Sequence, residues 1–362
     1  LEERIVLGRE DGWQAIVRDP GIRYRTGRAG FRDIVLADAQ LEPGPFTDLL
    51  LHFDQAPFRD ATGGYAVRSS PELTLNRYAV FGIAAGVFRA GEQALELAPQ
   101  RGTLFYPGTV WSDFTLEFWL YPARLADGEL ILQWDGSRKA GTELVRQSVR
   151  CAVRSRALVF EFENFFVPPD DTPFRLELSG RTGLVPRRWR HHLVRFDAGT
   201  GLIEYSIDGI PEAVTYTTES GREAGSVFLP RIGITSPRRL VVGDSFVGML
   251  DELMLSTAFR RESSMTRYAQ VTGEAETRIL DLGYTNTRLV RIDAQYRTPA
   301  DSDIFFSYRI SDERVRTDRL EGDWIPFTPG APFTPDVRGR FVELRFQLFP
   351  DGSRTRTPEL SQ

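Results

Sequence analysis

Cysteine is almost missing: Cys151 is the only one among 362 residues. No intrachain disulfide can form, and a lone thiol in a strand-like run is expected to act as a small buried hydrophobe. That scarcity suits a reducing compartment and equally an exported chain that avoids thiols, so it does not decide localisation. Lysine is just as rare, since all but Lys139 of the 45 basic residues are arginine. Carboxylate pairing would explain this bias, as would genome composition. No apolar run reaches the roughly 18 residues that a membrane-spanning helix needs. The formal net charge is −5, with acids interleaved among the arginines, which excludes a general nucleic-acid binder. Nucleophile elbows, phosphate loops and dinucleotide fingerprints are missing too. The three histidines, His52, His191 and His192, include an adjacent pair in a strand-like run. Their rings should point to opposite faces, which leaves no support for a transition-metal site.

What the chain does contain is period-2 patterning. Ile203, Tyr205 and Ile207 share one face of a run that ends at Asp208-Gly209, a turn pair suited to positive φ. Asp127-Gly128, Asp135-Gly136 and Asp351-Gly352 are expected to punctuate other runs in the same way. Val342, Leu344, Phe346 and Leu348 alternate with Glu343, Arg345 and Gln347, as a half-buried antiparallel strand would. Helical periodicity is confined to a short stretch, 263–271. With 32 glycines and 22 prolines between short strands, the chain reads as all-β sandwiches. Its length favours two domains. Residues 1–45 carry strands of their own and are too short for a separate core, so they are expected to pack on a neighbouring domain. Residues 46–271 form the main sandwich, and 272–362 read as a smaller sandwich that follows it.

The richest segment is Phe-Thr-Leu-Glu-Phe-Trp-Leu at 114–120, continuing to Trp134-Asp135-Gly136. Trp189 to Asp197 echoes it, as does Val247 to Leu255. In this order and spacing the segments resemble the concanavalin A-like, laminin-G-like lectin/glucanase family over roughly residues 46–268. The resemblance implies a jelly-roll sandwich with Trp119 and Trp189 largely buried. The last 90 or so residues resemble a fibronectin-like accessory sandwich of bacterial surface proteins. Glucanases of this fold carry two glutamates and an aspartate on one strand face, because glycoside hydrolysis needs carboxylates about 5–9.5 Å apart across the scissile bond. That motif is absent here. Glu161 and Glu163 share a face without the aspartate and read better as a charged rim, so no enzyme is expected and an atypical glycosidase is a distant alternative. The resemblance also implies a possible calcium site, with Asp54 and Asp60 on one side and Asp251 on the other supplying oxygen ligands. The alternative is that these carboxylates hold turns and pair with arginine.

Two aromatic features carry binding expectations. On the 114–122 run, Trp119 and Tyr121 lie opposite Leu116, Phe118 and Leu120, so their face must be covered by protein or by a ligand stacked on the rings. Phe165 and Phe166, ahead of Pro168 and Pro169, are expected at a strand end running into a loop. That loop is either folded on its own sandwich or exposed as a contact for a protein partner or self-assembly. The expected function is therefore a non-catalytic, exported bacterial protein of adhesion or assembly, periplasmic, cell-surface or extracellular. A carbohydrate-binding lectin module with a polysaccharide partner is the alternative. The chain begins at Leu1 rather than Met, as removal of a targeting segment would leave it and as an arbitrary boundary within a longer chain would too.

Overall fold

The computed structural model describes residues 4–27, 30–38, 41–70, 73–89, 94–234, 238–260, 267–268, 272–313 and 318–362. Apart from a single 3-10 turn at Arg9–Asp11, every regular element among them is a β-strand, and every strand pairing is antiparallel. No described helix is long and apolar enough to cross a membrane. Most of the short helix expected over 263–271 lies outside the described residues.

The chain divides into two units, Gln40–Met265 and a discontinuous one made of Leu1–Ala39 and Thr266–Gln362. In chain order the larger unit is therefore inserted into the smaller one, where the sequence suggested two sandwiches in series. Pairing explains the nesting. Ile16–Arg18 pairs with Gly273–Thr277, and Arg32–Leu36 is joined to Glu359–Leu360. Ile34 and Leu36 are buried in one cluster with Phe306, Leu344, Phe346 and Leu348. A segment too short for a core of its own thus completes the core of the C-terminal strands.

Within the larger unit, an eight-stranded and a seven-stranded sheet share one core. Phe114–Pro122 sits inside the first, between Arg190–Phe196 and Gly248–Ser256. Leu130–Ala140, Glu143–Arg154 and Ala157–Glu163 form the centre of the second. Alternation sends Phe118, Leu120, Val194 and Tyr205 inward from one sheet, to meet Trp134, Cys151, Phe160 and Leu178 from the other. The Phe160 and Tyr205 rings lie 4.9 Å apart. Cys151 is fully buried, and burial pushes its thiol pKa up, which leaves it an inert packing group.

Two sequence expectations are corrected here. Asp135-Gly136 is no turn; it lies inside the strand Leu130–Ala140. The Trp134 indole folds over Gly136, and a Cβ there would stand 2.4 Å from the ring, so glycine is needed for close approach rather than for chain reversal. Phe165 and Phe166 are 1% and 0% exposed. Phe166–Val167 pairs with Leu229–Pro230, and the Phe165 ring lies 5.0 Å from Trp111 and 5.3 Å from Phe166. The prolines that follow end the strand, yet the rings point into the sandwich, so this segment offers no exposed apolar contact. Phe166→Ala is expected to cost about 3–5 kcal/mol in chemical denaturation, as loss of a buried phenyl ring does. A loss below about 1 kcal/mol would show that the ring is not core.

Candidate functional site

The candidate site lies on the face of the eight-stranded sheet turned away from the core. Strand alternation places Glu117, Trp119 and Tyr121 there, with His191 beside Trp119 on one neighbour and Asp251 and Met249 beside Trp119 and Tyr121 on the other. The Tyr121 ring lies 5.3 Å from Trp189 and 5.6 Å from Tyr78, and Tyr78 and Trp189 are 6.5 Å apart. Tyr78 is 59% exposed, while Trp119, Tyr121 and Trp189 are half-buried. Trp119 and Trp189 are thus largely covered, as expected, and each keeps some exposed surface on this face. Three rings with polar edges meet at the surface. Of the four expected ligand contacts, Tyr121 belongs to this group, Trp119 lies on the same face against His191 and Phe81, and Phe165 and Phe166 belong to the core. Tyr78 was missed because its segment, 77–84, has no periodicity of its own.

A buried polar layer supports the rings. Glu117 and His191 are each 1% exposed, with Glu117 Oε2 3.0 Å from His191 Nε2. Arg260 donates to the other Glu117 oxygen at 2.6 Å. The Trp119 ring lies 5.2 Å from the His191 ring and 6.3 Å from Phe81. A charge buried under an aromatic face persists only when paired, and Arg260 supplies the partner. His192 faces the other way, its ring 5.5 Å from Phe118 and its Nδ1 2.9 Å from Tyr205 Oη. Burial, together with His191 and Arg190, lowers the His192 pKa to about 3, so it packs as a neutral ring.

The loop bearing Tyr78 is held by two carboxylates expected at a calcium site. Asp251, with no exposed surface, accepts Val80 and Phe81 N–H at 2.7 and 3.0 Å. Burial raises its pKa well above the usual range, against the lowering effect of these N–H donors, and the nearby Glu252 and Asp54 add to the rise. Asp54 accepts Ile83 and Ala84 N–H at 2.6 and 3.0 Å. Asp60 is occupied elsewhere. It accepts N–H from Leu50, Thr62 and Tyr65 and the Thr62 hydroxyl, which closes the 60–65 turn. Asp60, its oxygens taken by the donors of its own turn, is not joined to Asp54 and Asp251 in one calcium cage. Among the described residues no group of three or more His, Cys, Asp or Glu side chains could hold a metal.

A bulge makes this arrangement possible. The register shifts between Asp251 and Met254, and Glu252 takes φ +48°. Leu250, Leu253 and Leu255 all reach the core, a spacing that strict alternation forbids. The extra residue lets Asp251 turn to the Tyr78 loop and Glu252 to His52, whose Nδ1 lies 2.9 and 3.1 Å from the two carboxylate oxygens. On the seven-stranded sheet, Glu161 lies 3.3 Å from Arg154 and 3.8 Å from Arg175, as a charged rim would.

No family model matches the chain, nor does any curated protein. Solved structures similar to it include domain 4 of a GH43 extracellular arabinanase from Geobacillus stearothermophilus, in complex with arabinotriose. That match is 13% identical and covers 58% of this chain and 92% of the domain, with a TM-score of 0.38. The botulinum neurotoxin serotype G binding domain is 6% identical over 76% of this chain and 70% of its own, at 0.40. The serotype D binding domain is 11% identical over 70% and 59%, at 0.43. At these scores the likeness carries no argument about the ligand.

Two outcomes are expected. Burial alone would lower the His52 pKa, but the hydrogen bond and charge of Glu252 raise it above the ordinary histidine range. A raised histidine stabilises the fold fully below its unfolded pKa, and that contribution is lost as pH rises through the folded value. His52→Gln should therefore lower Tm more at about pH 5.5 than at about pH 8.5; equal losses would count against the pair. Calcium and chelator should leave Tm unchanged. A site saturated at 100 times its Kd would add about 2.7 kcal/mol, readily seen by calorimetry.

Proposed function

We propose that the larger unit is a non-catalytic carbohydrate-binding module whose contact surface is formed by Tyr78, Tyr121 and Trp189. The observation that carries this reading is the meeting of three partly exposed rings within 6.5 Å of one another. Such rings stack on the C–H faces of a sugar, and the tyrosine hydroxyls add directional hydrogen bonds. Trp119 packs against Phe81 of the loop that presents Tyr78, and Asp251 and Asp54 fix that loop. A preorganised loop lowers the ordering cost of binding.

In this reading the sheet-on-sheet core and the strands at 114–122 and 190–196, the second preceded by Trp189, belong to a concanavalin A-like, laminin-G-like sandwich. The protein acts outside the cytoplasm on a bacterial surface or in its surroundings, with a polysaccharide as partner and adhesion as a consequence of glycan binding. Assembly through Phe165 and Phe166 has lost its physical basis, since both rings are core. Hydrolysis has none either. Glu117 and Asp251, the carboxylates flanking Trp119 on this face, are both sealed from solvent; Glu117 is shared between His191 and Arg260, and Asp251 accepts the Val80 and Phe81 N–H groups.

Titration of the protein against a panel of polysaccharides and oligosaccharides, read by calorimetry and tryptophan fluorescence, tests the proposal. Trp189→Ala and Tyr78→Ala should each weaken binding about tenfold, in line with the loss of one stacked ring, while leaving Tm within a few degrees. Binding unchanged in both variants, or no binding across the panel, would sink it.

A further inference from the structure

The smaller unit contains a recess independent of the aromatic face. Beside residues 4–7 its core opens into a cavity of about 240 Å³. The walls include the core side chains Trp13, Phe306, Leu344 and Phe346 and the half-buried Leu282 and Leu289. Protein interiors are close-packed, with few voids larger than a water molecule, and an apolar cavity of about 150 Å³ already admits benzene. This volume suits a small organic molecule. Its rim is unevenly charged. Arg4, Arg291 and Asp293 are among the residues that line the recess, and Arg291 is engaged with Asp293 at 3.0 Å. Arg4 makes no ion pair among the described residues. A guanidinium beside an apolar recess complements a carboxylate carried on a hydrocarbon body.

We propose that this recess binds a small aliphatic monocarboxylate, its chain among Trp13, Leu289 and Phe346 and its carboxylate on Arg4. The anionic head separates this ligand from the apolar molecules that the walls alone would accept. The hydrocarbon body separates it from the inorganic anions that Arg4 alone would attract.

The test is calorimetric titration of the whole chain with sodium decanoate below its micellar range, with decanol and decyltrimethylammonium as controls. Saturable binding of one decanoate per chain is expected, with the cation bound far more weakly. Arg4→Gln should weaken decanoate about tenfold, as loss of a charge-assisted hydrogen bond does, and leave decanol unaffected. Leu289→Trp, which fills the recess, should abolish binding of both while circular dichroism and Tm are retained. Leu282→Phe serves the same purpose if that variant fails to fold. The proposal is overturned by non-saturating heats, by decanoate affinity unchanged in the filled variant, or by equal affinity for the cation. Sedimentation showing dimers that Leu289→Trp dissociates would assign the recess to a second copy of the chain and also overturn it.

Discussion

The extra residue at Asp251-Glu252 in the strand Gly248–Ser256 is the constraint on which the larger sandwich turns. Every residue of that strand is buried, so both of its faces need cover and each polar side chain needs a partner. The bulge meets both demands. It keeps Leu250, Leu253 and Leu255 in the core while Asp251 and Glu252 both leave it. Asp251 then takes two backbone N–H groups from the 80–81 segment, and Glu252 takes His52. Without the shift, alternation would drive Glu252 inward beside Leu250 and leave a buried charge without a partner, the costliest outcome available to this strand.

The aromatic surface follows from the same device. Because Asp251 and Asp54 hold 80–84 from two sides, Tyr78 is carried to Tyr121 and Trp189 on a fixed loop. Beneath, the pairing of Glu117 with His191 and Arg260 pays the desolvation cost of placing a carboxylate under Trp119. Acidic residues that resemble calcium ligands in the sequence are thus employed as acceptors for loop amides. An aspartate satisfies backbone N–H groups and cations with the same oxygens, and only the neighbouring atoms decide which.

The smaller unit illustrates how a short segment finds a core. Residues 16–18 and 32–36 cannot bury their apolar faces alone. By pairing with Gly273–Thr277 and Glu359–Leu360 they close a sandwich whose other strands come from the far end of the chain. The pairing is antiparallel and long-range, so the two halves of this core depend on each other although the larger unit separates them in sequence.

The all-β architecture, the strands at 114–122, 190–196 and 341–349, and the opposite faces of His191 and His192 were legible from residue order, because side-chain alternation is a local property of extended backbone. So was the need to cover the face carrying Trp119 and Tyr121. Other features were not local. Gly136 reads as a turn until the Trp134 ring is placed over it, and Phe165 and Phe166 read as a loop until Leu229–Pro230 supplies a pairing partner. Tyr78 joins Trp189 across more than a hundred residues with no pattern to announce it. Period and turn chemistry are written into neighbouring residues, whereas burial, bulge register and the partner of each carboxylate arise only when distant strands meet.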